Sequence, residues 1–413
     1  MSQTPQRNRA RVPYLNIVSP TPVSSQHLSN SNPGPQQITS QRSNSPVAMD
    51  FRNFGKFTHT PSASRRRGIA AAAAQFAPSP IAHLSPGIGD TEEQKGLTQE
   101  LMTHLALVRL GDMASPKTPS SLRMQREVVE LLMRIRAQNL DNPEAQHKRA
   151  MTAVLAKAVF SSNFIERVGL SLEETSEICR HVFDGKALSA DDVGASGRGL
   201  LIAADELKGL SARQLRVRSR REVVQHAKAF SRMCKALVVC NEPLSEALIK
   251  ETHRILTFRI DNYHYDGTCT PYTHYGGVYR TAPVSAGNTF FAVPKFVPKL
   301  MGEMVQRYQN EVLTAEAEGE LRPFLLAARY SDAFVQIHPF EDGNGRMSRL
   351  IMNAVLIKYG GIAVALACTD EERDRYIGIM RRSGEQATNG EELAELVLER
   401  SVDALREFEM GTL

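Results

Sequence analysis

The 413-residue chain is 42% hydrophobic, enough for one large core or two to three domains, and no run reaches the about 18 apolar residues of a membrane span. Its five cysteines, an odd number with no CxxC pair, argue against a disulfide framework and a zinc site and for free thiols. The net charge of +5 is uneven: residues 1–89 hold nine Lys and Arg against Asp50 alone, a balance of +8 that leaves −3 for the rest, so the basic pI does not argue for a nucleic-acid-binding core.

Residues 1–90 are rich in Ser, Pro, Gln and Asn without a sustained apolar period. Such a segment buries too little surface to offset its ordering entropy, and a disordered, solvated tail is expected. Its Pro and Gly oppose the amphipathic helix of a transit peptide, and Arg65-Arg66-Arg67 is only a short nuclear-address candidate. Missing signals leave a cytoplasmic or nuclear address and no membrane partner. Nucleic acid is not an expected partner, because the tail has few aromatics for stacking.

From Thr91 the pattern turns helical, first at Leu101, Leu105 and Val108, then at Val128, Leu131, Leu132 and Ile135. Asn142-Pro143-Glu144 reads as a helix start, leading through Met151, Val154, Leu155 and Ala158. Ser171 with Glu174, and Thr369 with Glu372, read as capping boxes. The Gly-rich stretch Val193–Gly199 lacks the GK[ST] ending of a phosphate-binding P-loop and is expected to be a plain loop. Further helices are predicted near 220–238, 245–257, 295–312, 321–337, 344–359 and 389–409. Strand-like alternation occurs only over 279–293, with Ser285–Asn288 as the turn. The predicted fold is all-α with one β-hairpin.

The stretch HPFEDGNGRMSR, His338 to Arg349, concentrates the chemistry. A helix should end at His338, because Pro339 cannot continue it. A second should begin near Asn344, with Gly343 and Gly345 giving the backbone freedom to aim successive N–H groups at one point. Arg346 and Arg349, three apart, can grip phosphate as a fork. Asp342 is a hard oxygen ligand of the kind Mg²⁺ takes together with substrate phosphates. His338 can take a proton from an attacking hydroxyl. Phe340 is expected to turn inward and anchor the loop.

This stretch resembles the HxFx[DE]GNGRxxR signature of the Fic (filamentation induced by cAMP) domain family at every specified position. Similar segments follow the family order at Arg221–Phe230, Glu251–Thr257 and Gly276–Gly287, and the resemblance covers about residues 145–410. It implies a mainly helical enzyme that transfers AMP from ATP to a Ser, Thr or Tyr hydroxyl of a protein substrate. His338 would be the general base. Asp342 would hold Mg²⁺ between the α- and β-phosphates. Gly343, Asn344 and Gly345 would form the anion hole, with Asn344 also orienting phosphate. Arg346 would bind the β/γ side and Arg349 the γ-phosphate. The hairpin resembles the Fic flap, which docks the target as an added strand through Val284, Thr289, Phe290 and Phe291.

Upstream, Ser162 and Glu166 resemble the family's inhibitory pattern [ST]xxxE[GN], whose Glu pairs with the second motif arginine; here Arg167 replaces the Gly or Asn. The implied layout is a 1–90 tail, a 91–144 helical extension, a 145–215 inhibitory helix with linking helices, and a 216–413 catalytic core. A second departure lies beyond Tyr376, where many relatives place an Asn near the adenine and this chain has Ser383-Gly384-Glu385. The expected function is a Mg²⁺-dependent, autoinhibited protein adenylyltransferase. The alternatives are AMP removal, another nucleotide donor, or a non-catalytic nucleotide-binding module. Relatives without large extensions often dimerise through the core, which makes a homodimer an expectation.

Overall fold

The computed structural model describes residues 96–98, 100–101, 118–137, 143–189, 210–264, 267–286, 289–386 and 388–410. The expected tail, the Gly-rich loop at 193–199, Leu105 and Val108 lie outside them. The described residues are predominantly helical, as the periodicity predicts.

Helix α1 spans Pro119–Ala137 and buries Val128, Leu131, Leu132 and Ile135. Helix α2 spans Pro143–Ile165, beginning at the proline whose missing N–H is no loss in a first turn. Helix α3, Leu172–Phe183, is capped by Ser171, whose hydroxyl accepts from Glu174 N–H at 3.3 Å. Helix α4, Ala212–Cys234, begins on a reciprocal capping box between Ser211 and Gln214. The expected boundary at 215/216 therefore falls inside a helix. Its first turns, Ala212 to Arg221, are rich in arginine and lack the apolar period that would have revealed them. The last turn of this helix widens to a π-turn over Lys235–Val239. Helix α5 spans Glu246–Leu256.

Strands β1 (Asn262–Tyr263) and β2 (Cys269–Thr270) form an antiparallel pair that the sequence reading missed, because two-residue strands carry no period. The expected hairpin over 279–293 contracts to β3 (Ser285–Ala286) and β4 (Thr289–Phe290), paired Ser285 to Phe290 and Ala286 to Thr289. Pro283 and Pro294 have no N–H for a ladder, and the N–H of Arg280 goes to Pro339 O at 2.9 Å instead.

Helix α6 runs Val297–Glu318, a turn and a half past its predicted end, and stops at left-handed Gly319. Helices α7 (Pro323–Ile337) and α8 (Asn344–Gly360) flank the motif and pack on each other. Nearly every residue of α8 is buried, as befits a helix at the centre of a helical core. Helix α9, Asp370–Gln386, starts on the Thr369–Glu372 capping box, and α10, Glu391–Glu409, closes against α1 and α7. No helix among the described residues is long and apolar enough to cross a membrane.

Candidate active site

The loop between α7 and α8 carries the motif. His338 ends α7 in the left-handed region, with φ 51° and ψ 62°. Its Nδ1 lies 3.1 Å from Val335 O, and a carbonyl can only accept, so Nδ1 carries the proton and Nε2 keeps its lone pair. Burial pushes the imidazole down to about 4, and the nearby Arg280 charge acts in the same direction, while Glu166 and Asp342 oppose it. The ring is therefore neutral at pH 7. Phe291 of the flap lies flat on it, centroids 3.8 Å apart at 13°.

Phe340 is fully buried and stacks on His253, centroids 3.7 Å apart at 6°. His253 Nε2 meets Asp342 O at 2.9 Å, and its Nδ1 accepts from Gly277 N–H at 2.9 Å. This histidine braces the loop from α5. Gly343 turns the chain into α8 with φ 76°, a conformation that favours glycine. The first N–H groups of α8, at Asn344, Gly345 and Arg346, are left without intrahelical partners and form a cradle for an anion.

The structure distributes the remaining motif residues in ways the spacing alone did not indicate. The Asn344 side chain is buried and clips the loop shut, accepting from Phe340 N–H and donating to Phe340 O, both at 2.9 Å. The Asn344 side chain, expected to orient phosphate, is thus committed to the loop, and only its backbone N–H faces outward at the start of α8. Arg346 donates to Asp342 Oδ2 at 3.0 Å and lies 3.5 Å from Glu222 Oε2. Glu222 is wholly buried between Arg346 and Arg218, and burial raises its carboxyl more than the two arginines lower it. Burial also works to raise the Asp342 carboxyl, but Arg346 and the Gly343 N–H outweigh it and hold it below the usual carboxylate range. A single ionised carboxylate, partly open to solvent, suits a Mg²⁺ that takes its other ligands from water and phosphate. Among the described residues no cluster of three or more His, Cys, Asp or Glu forms a ready-made metal cage.

Arg349 is gripped from helix α2. It donates to Ser162 Oγ and Ser162 O, each at 2.9 Å, and to Glu166 Oε1 at 2.5 Å. Ser162 lies in the last turn of α2 and Glu166 just past its end, one turn further on, which is why one guanidinium meets both. Glu166 Oε1 also occupies the space beside Gly345: a side chain there would collide with it and stand 3.1 Å from Arg349 Nη1. The carboxylate thus lies against the first turn of α8 at Gly345. Arg167, at the position where the pattern has Gly or Asn, takes φ 60° as α2 ends. It is anchored by Asp370 at 2.5 Å and by the Phe164 ring, 5.0 Å from its guanidinium. The departure therefore keeps the turn, with side-chain contacts opposing the left-handed penalty.

Of the flap residues, Val284 is buried, Thr289 half-buried, Phe290 lies in β4, and Phe291 covers His338. Ser383, in the Ser383–Glu385 stretch where the resemblance leads one to expect an Asn near the adenine, is buried. It donates to Asp332 Oδ2 at 2.6 Å and accepts from Thr388 at 3.0 Å. Sequence reasoning missed Arg280, His253 and Glu222, and gave no role to Tyr376, whose hydroxyl lies 3.4 Å from Arg349 Nη1. The segments Arg221–Phe230, Glu251–Thr257 and Gly276–Gly287 contained the first three without marking them.

A family model described as Fic/DOC family matches residues 243–356. A Fido domain-containing protein of Dictyostelium discoideum is 36% identical over 126 residues, 30% of this chain and 85% of that protein. The chain belongs to the Fic/DOC family. The protein adenylyltransferase Fic of Drosophila melanogaster is 34% identical over 110 residues, 27% of this chain. That match spans 21% of the Drosophila protein. Fic-1 (residues 134–508) from C. elegans shares the fold, with a TM-score of 0.51 at 21% identity over 71% of this chain and 72% of that one.

Proposed function

We propose that this chain transfers the adenylyl group of ATP to a side-chain hydroxyl of a target protein, and that Glu166 represses the transfer. Relatives named protein adenylyltransferase Fic support the reaction class. The observation that carries the reading is the His338 imidazole: neutral, fixed through Nδ1, with Nε2 free, at the lip of a helix N-terminus built to hold an anion.

The target hydroxyl oxygen attacks the α-phosphorus and forms the new O–P bond, while its proton passes to His338 Nε2. The bond from the α-phosphorus to the bridging oxygen breaks, and pyrophosphate leaves. The first N–H groups of α8 stabilise charge developing on the phosphoryl oxygens, and Arg346 and Arg349 hold the β/γ end. Asp342 is the residue to carry Mg²⁺, which when bound neutralises polyphosphate charge. An extended segment of the target, laid along the flap as an added strand, presents the hydroxyl.

Glu166 must leave Arg349 before a γ-phosphate can reach it. A hydrogen bond to a charged group contributes about 1.5–3 kcal/mol, which corresponds to about 10- to 150-fold in an equilibrium. Auto-labelling of the full chain with α-phosphate-labelled ATP and Mg²⁺ is therefore expected to rise at least about tenfold in Glu166→Gly. It should vanish in Glu166→Gly/His338→Ala. Equal labelling of wild type and Glu166→Gly would end the repression reading. Label that survives His338→Ala would end the general-base assignment. Competition by GTP and UTP in the same assay reads the base preference that the Ser383 position leaves open.

A further inference from the structure

Arg280 is a buried cation with no carboxylate partner among the described residues. Its guanidinium is committed instead to four backbone carbonyls. Nε donates to His338 O at 2.6 Å, and Nη1 to Ala282 O at 3.0 Å. Nη2 donates to Ala292 O at 2.5 Å and reaches Ile337 O at 3.4 Å. The backbone N–H of Arg280 adds a bond to Pro339 O at 2.9 Å.

These acceptors fall into two groups. Ile337 and His338 form the C-terminal end of α7, where carbonyls lack helical partners and a cation is favoured. Ala282 and Ala292 are the two legs of the flap, one before β3 and one after β4. The same flap returns to His338 through Phe291, whose ring lies on the imidazole. His338 itself is left-handed, a conformation that costs a non-glycine residue energy unless neighbours fix it. Arg280 is such a neighbour, and a planar fork is the group able to serve several carbonyls in different directions at once.

We propose that Arg280 is a positioning residue that joins the flap to the catalytic helix end, so that target docking and the placement of the His338 base are set together by one guanidinium. The proposal rests on the adenylyl-transfer reading for its consequence in turnover, but not for its geometry. Loss of the fork releases both flap legs, lifts Phe291 from the half-buried imidazole and lets more water reach the ring. His338 then moves back toward the ordinary histidine range. The charges facing that ring are Arg280, Glu166 and Asp342, and removing Arg280 also removes the one cation among them.

The test compares Glu166→Gly with Glu166→Gly/Arg280→Lys and Glu166→Gly/Arg280→Met in the full chain. The His338 imidazole is titrated by proton NMR, its signal assigned by its loss in His338→Ala. Mg²⁺–ATP binding and auto-modification are measured alongside. The expected result is a His338 midpoint raised by about one unit or more in both variants. Turnover falls at least about tenfold while ATP affinity stays within about threefold. The Lys variant keeps the charge and loses the fork, so it carries the test if the Met variant does not fold. An unchanged His338 midpoint in the folded Lys variant overturns the proposal, as does an ATP affinity that falls as far as turnover. If Glu166→Gly itself transfers nothing, the adenylyl-transfer reading fails on its own, and the His338 midpoint still decides the role of Arg280.

Discussion

At the scale of single residues, His338 combines an unusual backbone with an unusual proton affinity. A group held at about 4 is protonated in only about one molecule in a thousand at pH 7. As the proposed base, His338 would therefore always be ready but weak, since the most effective base has a value near the working pH. A bound polyphosphate changes this balance, because negative charge near the ring favours the imidazolium. In the Glu166→Gly protein, kcat/KM for the target in limiting ATP should lose activity on the acid side near pH 4, where the free protein titrates. The acid limb of kcat should lie at higher pH, because it reports the nucleotide-bound form. Coincident limbs near the ordinary histidine value of about 6.5 would contradict the neutral ring. Removing the imidazole by His338→Ala should lower turnover by about 10²- to 10⁴-fold, the usual range for a general base.

At the scale of elements, the site is the junction of α2, α4, α5, α7, α8 and the flap. What was legible in the sequence was the part contiguous in the chain. A helix stop at proline, a glycine turn and a helix start follow one another within twelve residues, so His338 to Arg349 could be read as a unit, though the left-handed backbone of His338 could not. Ser162 and Glu166 were legible only through the family resemblance, because a Ser and a Glu one helical turn apart are common on any helix. Arg280 was not, since its acceptors on α7 lie 57 and 58 residues away and nothing local requires an arginine there. Glu222 was hidden for the same reason, as was the commitment of the Asn344 amide to the loop. The flap was over-read, because alternation predicts a strand without saying which N–H groups find a ladder. The close fit of α2 to α8 has a direct consequence at Gly345. A methyl group there would overlap Glu166 Oε1 and crowd Arg349 Nη1. Gly345→Ala should therefore break the Glu166–Arg349 pair. It should also block the cradle, so that Mg²⁺–ATP affinity falls at least about tenfold even in the Glu166→Gly background. Calorimetric titration of both alanine variants decides it, and unaltered ATP affinity in Glu166→Gly/Gly345→Ala would mean that the anion does not lie against α8.

At the scale of the whole molecule, three histidines, two of them buried and His338 half-buried, link the site to the stability of the fold. His226 bonds Asn163 at 2.7 Å and joins α4 to α2, His253 braces the motif loop, and His338 ends α7. Burial lowers all three: His226 well below its ordinary value, and His253 and His338 to about 4. Between the ordinary value of about 6.5 and about 4, the unfolded chain holds protons on these rings that the folded chain lacks. Folding stability must then fall as pH falls through that window, by at most about 1.4 kcal/mol per pH unit for each ring. Glu222 and Asp332, whose carboxyls burial raises, act with the opposite sign and offset part of the loss. The contribution of His253 can be isolated, because its Nδ1 already accepts the Gly277 N–H and a second proton would set two donors against each other. Urea denaturation at pH 7, 6 and 5 should show stability falling with acidification in the wild type. In His253→Asn the fall should be shallower by about one proton's worth, about 1.4 kcal/mol per unit, whatever the absolute stability of the variant. Equal slopes would show that His253 is protonated in the folded chain. The Gly277–His253–Asp342 link that holds the loop would then have to be redrawn.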